Sequence, residues 1–132
     1  MVRVASIIID DAYETIDASQ TILDAAKKMK TTGLPDLIVV ENEEVKGVIT
    51  DYLITTCIVA ETKDPQTTSV IDAMQPIPPV ELTTSVEEAL QRLQKYAVPV
   101  VPVVFKGELK GLVSVQDCWS VIPAEYWSRF EK

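Results

Sequence analysis

The sequence predicts an α/β (α+β) protein built from two similar units, each running strand–helix–strand–strand–helix. Three observations predict it. Moved along itself by 64 positions, Ile16–Ile58 falls on Val80–Ile122 without a gap. Each copy holds a stretch with apolar residues at helical period. Each then continues into two β-branched runs separated by a short polar turn.

The repeat is carried by identities and by kept chemistry. Ala25 meets Ala89, Pro35 meets Pro99 and Val39–Val40 meets Val103–Val104. Glu44 meets Glu108, Lys46–Gly47 meets Lys110–Gly111, and Ile58 meets Ile122. Ile22/Val86, Met29/Leu93, Ile49/Val113 and Thr50/Ser114 keep their type. A unit of this size buries too little surface to be comfortably stable alone, so two copies are expected to pack as a pair. Pseudo-two-fold symmetry then places a cleft where they meet.

Taken in order, Ser6–Ile9 is a short apolar segment ahead of the first copy, paired at the same spacing with Val70–Ala73. Thr21–Lys30 reads as a helix: Ile22, Ala25, Ala26 and Met29 form its stripe, Thr21 caps it and Gly33 stops it. In the second copy Ser85–Glu88 reads as a capping box ahead of Val86, Ala89, Leu90 and Leu93. Leu37–Val40 and Val45–Thr50 form one antiparallel hairpin; Val100–Val104 and Leu109–Ser114 form the other. Asp51–Ala60 and Val115–Ile122 close the units as helices. The expected divisions are residues 1–60 for the first unit, a polar linker at 61–69 with Pro65, and 70–122 for the second. The tail, 123–132, gathers Tyr126, Trp127 and Phe130; it reads as a terminal helix docked on the core, or as a lid or subunit contact.

Composition narrows the function. An apolar share of 47% supports a packed core, and no apolar run reaches membrane-spanning length. Asp10 and Asp11 interrupt the opening apolar stretch, which argues against a signal peptide, so a cytoplasmic location is expected. Twenty acidic against 12 basic residues give a net charge of −8, which disfavours nucleic acid as a partner. Lys27, Lys28 and Lys30 are expected on a solvated helix face. There is no histidine, and Cys57 and Cys118 form no metal-binding spacing, so neither a zinc site nor imidazole-based catalysis is expected. Both cysteines are expected as buried thiols. Asp10–Asp11 raises the idea of metal-assisted chemistry, but neighbouring residues of a strand face opposite ways, so no enzyme is expected.

Four pieces, appearing in the same order in both copies, resemble the CBS-domain pair, or Bateman module. The second copy shows them best: Val70–Met74, Pro79–Leu90, Pro102–Gly111 and Gly111–Asp117. The resemblance covers about residues 4–122. It implies a regulatory module that binds an adenosyl ligand and passes the signal to a partner protein. It also implies a homodimer.

By the same resemblance, Ser114 and Asp117 match the residues that hold the ribose hydroxyls. Ile77, Pro78, Val80, Val98, Pro99 and Val100 match positions around the adenine. An ionised carboxylate accepts well from paired hydroxyls, and a helix start offers free N–H groups to a phosphate. Ser-x-x-Asp at a helix start is equally an ordinary cap, and both readings can hold together. The first copy departs from the pattern. Thr50 matches, but Leu53 stands at the aspartate position and Asp51 is two places early. A weaker site around Thr50, Leu34 and Pro35 is therefore expected, with Thr50 acting chiefly as a cap. AMP, ADP, ATP and S-adenosylmethionine are the candidate ligands. The acidic balance and the lack of an Arg/Lys cluster favour AMP, ADP or an adenosyl compound over ATP. The alternative is a structural or protein-interaction module with no ligand.

Overall fold

The computed structural model describes residues 2–123; the aromatic group Tyr126, Trp127 and Phe130 lies outside them. After a single 3-10 turn at Val4–Ser6, the first unit comprises β1 (Thr15–Asp17), α1 (Ile22–Thr32), β2 (Asp36–Glu41), β3 (Glu44–Thr50) and α2 (Asp51–Leu53). The second unit comprises α3 (Val70–Ala73), β4 (Gln75–Pro76), β5 (Val80–Glu81), α4 (Val86–Tyr96), β6 (Val100–Phe105), β7 (Glu108–Ser114) and α5 (Val115–Val121).

β1 pairs parallel to β2, with Ile16 beside Val39, and β5 pairs parallel to β6 in the same way, with Val80 beside Val103. The hairpins match down to their irregularities. Each slips register at the same place, between Val39 and Val40 and between Val103 and Val104. Each turns on two residues of positive φ, Asn42–Glu43 and Lys106–Gly107, whose twist suits strands of right-handed twist.

Strand alternation sends the side chains to two different cores. Leu37, Val39 and Ile49 meet Ile22, Ala25 and Ile58 beneath the first unit's helices. Ile38 and Val48, on the opposite face, join the core of the second unit with Val101, Leu112 and Val113. The first sheet is thus covered on both faces, which explains why its strands read as continuous apolar runs.

The segments leading into each unit cross over. Residues 75–76 add a fourth strand to the first unit's sheet, with Gly47 opposite Pro76. The start of the chain docks on the second unit: Val4 N–H donates to Thr84 O, Val86 N–H to Val2 O, and Val4 and Ile7 enter that core. Constant spacing pairs Ser6–Ile9 with Val70–Ala73, and the structure corrects this. Arg3 bridges Ser85 as Ser69 bridges Thr21, so the turn at Val4–Ser6 is the equivalent of α3. The longer connection from there to β1 absorbs the difference.

Three local expectations differ in detail. The full reciprocal capping box appears in α1, between Thr21 and Asp24, while in α4 the Ser85 hydroxyl accepts from the Glu88 N–H. The helix expected over residues 51–60 is one α turn followed by a π-helix, Ile54–Val59. That stretch is dense in β-branched residues, which crowd an α-helix, and the Thr56 hydroxyl bonds back to Tyr52 O at 2.8 Å. Lys28 leaves the solvated face: its ammonium donates to Thr15 O and lies 3.7 Å from Glu14. Arg92, its repeat partner, donates to Pro79 O at 2.7 Å and to Pro78 O at 3.2 Å. In each unit a cation from the long helix therefore holds the chain entering the first strand.

Candidate functional site

The two Ser/Thr positions lie where a hairpin ends and a helix begins. Cross-strand pairing sets Asp36 opposite Thr50 and Val100 opposite Ser114. These pairs share the face that carries Ile38 and Val48 in one unit and Leu112 in the other, so they open towards the seam between the units.

At the first seam site the structure has a cavity of about 650 Å³. Pro35, Asp36, Thr50, Asp51, Tyr52 and Leu53 come from the first unit, Gln75 from the crossing strand, and Ala97, Val98 and Pro99 from the second unit. Thr50 is buried and its hydroxyl accepts from the Leu53 N–H at 3.1 Å, capping the helix as expected. Ala97 ends α4 in the left-handed conformation, which turns Val98 and Pro99 into the cavity wall. Asp51 also lines this cavity. Burial, and then the nearby Asp51 charge, hold the Asp36 carboxyl above its usual range.

At the second site Ser114 and Asp117 form a complete capping box. The serine hydroxyl accepts from the Asp117 N–H at 3.1 Å, and Asp117 Oδ2 accepts from the Ser114 N–H at 2.9 Å. Asp117 lines a shallower depression of about 440 Å³ with Ser6, Ile7, Ile8, Asp10, Ser120 and Val121. Asp11 faces the same carboxylate: hydrogen bonding to Asp117, then its charge, raises the Asp11 pKa. Residues 7–14 form no strand, so the alternation argument does not govern Asp10 and Asp11: Asp10 lines the same depression as Asp117, and Asp11 faces the Asp117 carboxylate. Among the described residues, no three acidic, histidine or cysteine side chains are grouped to hold a metal ion.

The structure therefore divides the sequence-derived positions. Thr50, Pro35, Val98 and Pro99 share one cavity, while Ser114 and Asp117 stand at another place. Leu34 is half-buried beside Pro35. Ile77, Val80 and Val100 belong to the core, and Pro78 is exposed with its carbonyl held by Arg92. Sequence reasoning did not single out Asp36, Tyr52, Gln75 or Ala97. The signal for Asp36 was present: it is a carboxylate where the other copy has Val100 in a β-branched strand.

Residues 4–59 and 67–118 each match the CBS domain. The chain belongs to the CBS-domain family and carries two copies in tandem. CBS pairs are generally regulatory ligand-binding modules and typically non-catalytic. This CBS pair is 31% identical over 108 residues to an uncharacterized protein of Methanopyrus kandleri, covering 80% of this chain and 55% of that one. It is 30% identical over 106 residues to a CBS domain-containing protein of Arabidopsis thaliana, covering 79% of this chain and 20% of that one. The chain thus spans about half of the first relative and a fifth of the second. It also resembles the hexameric CBS-CP12 protein from bloom-forming cyanobacteria, with a TM-score of 0.74 and 25% identity, covering 100% of this chain and 76% of that one. Among the described residues, no helix is long and apolar enough to cross a membrane.

Proposed function

We propose that this CBS pair is a regulatory module that binds an adenosyl compound between its repeats and signals its presence to a partner protein. The observation that carries the reading is the cavity of about 650 Å³ walled by both repeats. A ligand touching Thr50 on one side and Val98–Pro99 on the other binds one relative placement of the repeats better than another. Differential affinity of that kind shifts a conformational equilibrium. Ser114 and Asp117 are the ribose-holding pair of the second site, with Ile77, Val80 and Val100 as the apolar floor behind it and Pro78 at its edge. Thr50, Leu34 and Pro35 serve the first. A homodimer is in keeping with the self-association of the similar CBS-CP12 protein. The free thiols of Cys57 and Cys118 are in keeping with a cytoplasmic location.

A second reading, a ligand-free interaction module, is favoured by one observation. The Ser114–Asp117 capping box is complete without a ligand, and Asp11 already faces the aspartate.

A thermal-shift titration with AMP, ADP, ATP and S-adenosylmethionine separates the two, using wild type, Asp117→Ala and Thr50→Val. A ligand at 100 times its Kd is expected to add about 2.7 kcal/mol of stability. Loss of that gain in one variant names the site. No shift with any of the four at millimolar concentration would overturn the sensor reading and leave the interaction module.

A further inference from the structure

We propose that the cavity at Thr50 selects a nucleoside-sized ligand that is uncharged or cationic at the end away from the base, and rejects nucleotides. The inference rests on the cleft being an adenosyl site and names the ligand class for one of its two halves.

Among the described residues, the ten that line the cavity include two carboxylates, Asp36 and Asp51, and neither lysine nor arginine. The remaining contacts are those of Pro35, Leu53, Val98 and Pro99 for an apolar ring, with Thr50, Tyr52 and Gln75 as polar groups. A phosphate is recognised by cations and by clustered N–H donors. Here an incoming phosphate would meet two negative side chains in a partly enclosed space, where charges interact more strongly than in water. A hydroxyl can donate to either carboxylate, and an ammonium or sulfonium can pair with both.

The asymmetry between the repeats sharpens this. Asp36 stands opposite Thr50, whereas Val100 stands opposite Ser114. The second repeat instead keeps its carboxylate at Asp117, where the first has Leu53. The two halves of one duplication have therefore moved their negative charge to different places around the same hydroxyl. The raised pKa of Asp36 adds support: burial, and then the Asp51 charge, disfavour its ionised form, no cation lines the wall among the described residues, and a bound cation would relieve the penalty.

The test is a charge series on one scaffold: AMP, adenosine and 5′-amino-5′-deoxyadenosine, titrated at neutral pH and followed by amide NMR. Shifts of Thr50–Leu53, Ala97 and Val98 report the first cavity; shifts of Ser114–Asp117 report the second site. At the first cavity the amine is expected to bind at least tenfold more tightly than AMP, with adenosine between them. The double variant Asp36→Asn, Asp51→Asn is expected to bring AMP and the amine within about threefold of each other. Its fold is checked by the unchanged spectrum elsewhere. AMP binding at the first cavity as tightly as adenosine would overturn the proposal. So would an unchanged preference in the double variant. Shifts confined to Ser114–Asp117 would overturn it while leaving the adenosyl reading intact. Silence at both sets of amides would remove the adenosyl reading, and this inference with it.

Discussion

The carboxyl group of Asp11 lies against that of Asp117, tying the segment before β1 to the first turn of α5. The hydrogen bond to Asp117 and its charge hold the Asp11 carboxyl above its usual range, with smaller contributions from burial and Asp10. In the folded protein Asp11 therefore keeps its proton at pH values where the unfolded chain has lost it. The stability of this contact is present at acid pH and declines as pH rises from the ordinary carboxylate value through the raised one. Amide exchange of residues 9–13, corrected for its intrinsic rate, is expected to quicken across that window in wild type and to stay level in Asp11→Asn. The same profile in both proteins would show that the pair does not secure the segment.

Gly33 and Ala97 are repeat partners that end their helices in the left-handed conformation, at φ of 75° and 54°. Glycine adopts it freely, whereas a Cβ there costs about 1–2 kcal/mol. Nothing crowds a Cβ at Gly33, so the backbone preference stands alone. Ala97→Gly is expected to stabilise the fold by about 1 kcal/mol and Gly33→Ala to destabilise it by a similar amount. Urea denaturation at constant m-value checks both signs.

Gly47 and Gly111 are also partners, and their neighbours differ in stiffness. A Cβ at Gly47 would meet the backbone of Gln75 and Pro76, the latter at 2.9 Å, which cannot give way without breaking the β3–β4 pairing. At Gly111 it would meet the Cγ2 branch methyl of Ile9 at 2.7 Å, a side-chain atom on a segment outside any strand that can shift without breaking a strand pairing, although φ is +150°. Gly47→Ala is expected to cost about 3 kcal/mol or more, and Gly111→Ala about 1–2 kcal/mol. Equal losses in chemical denaturation would count against this account of the crossing strand.

Cys118 is buried in the second core, and burial, followed by the Asp117 charge, pushes its thiol up to about 12. The unfolded thiol ionises from about pH 8.5. Stability linked to this group is intact below that value and falls by about 1.4 kcal/mol per pH unit above it, until the folded thiol titrates. Between pH 8 and 10.5, Cys118→Ala is expected to lose less stability than wild type, though starting from a lower value. Thiol reagents at pH 8 are expected to modify half-buried Cys57 well before Cys118.

Much of the site was legible in the residues. The caps at Thr50 and Ser114 follow from a hydroxyl at a strand end, because their bonds join residues three apart. The acid pair at Asp36 and Asp51 was not, because one residue sits in a strand and the other opens a helix. Nor was the approach of Asp11 to Asp117, which depends on where an extended segment crosses the opposite unit.

By itself, the sequence determined the two-unit α/β plan, the hairpins, the long helices and their caps. Those features rest on local period, turn chemistry and repetition, which neighbouring residues decide among themselves. Only the tertiary structure decided that residues 75–76 complete the first sheet and that the chain's opening turn docks on the second unit. It alone set Val98 and Pro99 across the cavity from Thr50. Such pairings join segments far apart in the chain, and each is selected by what the opposite surface leaves uncovered once both cores have closed.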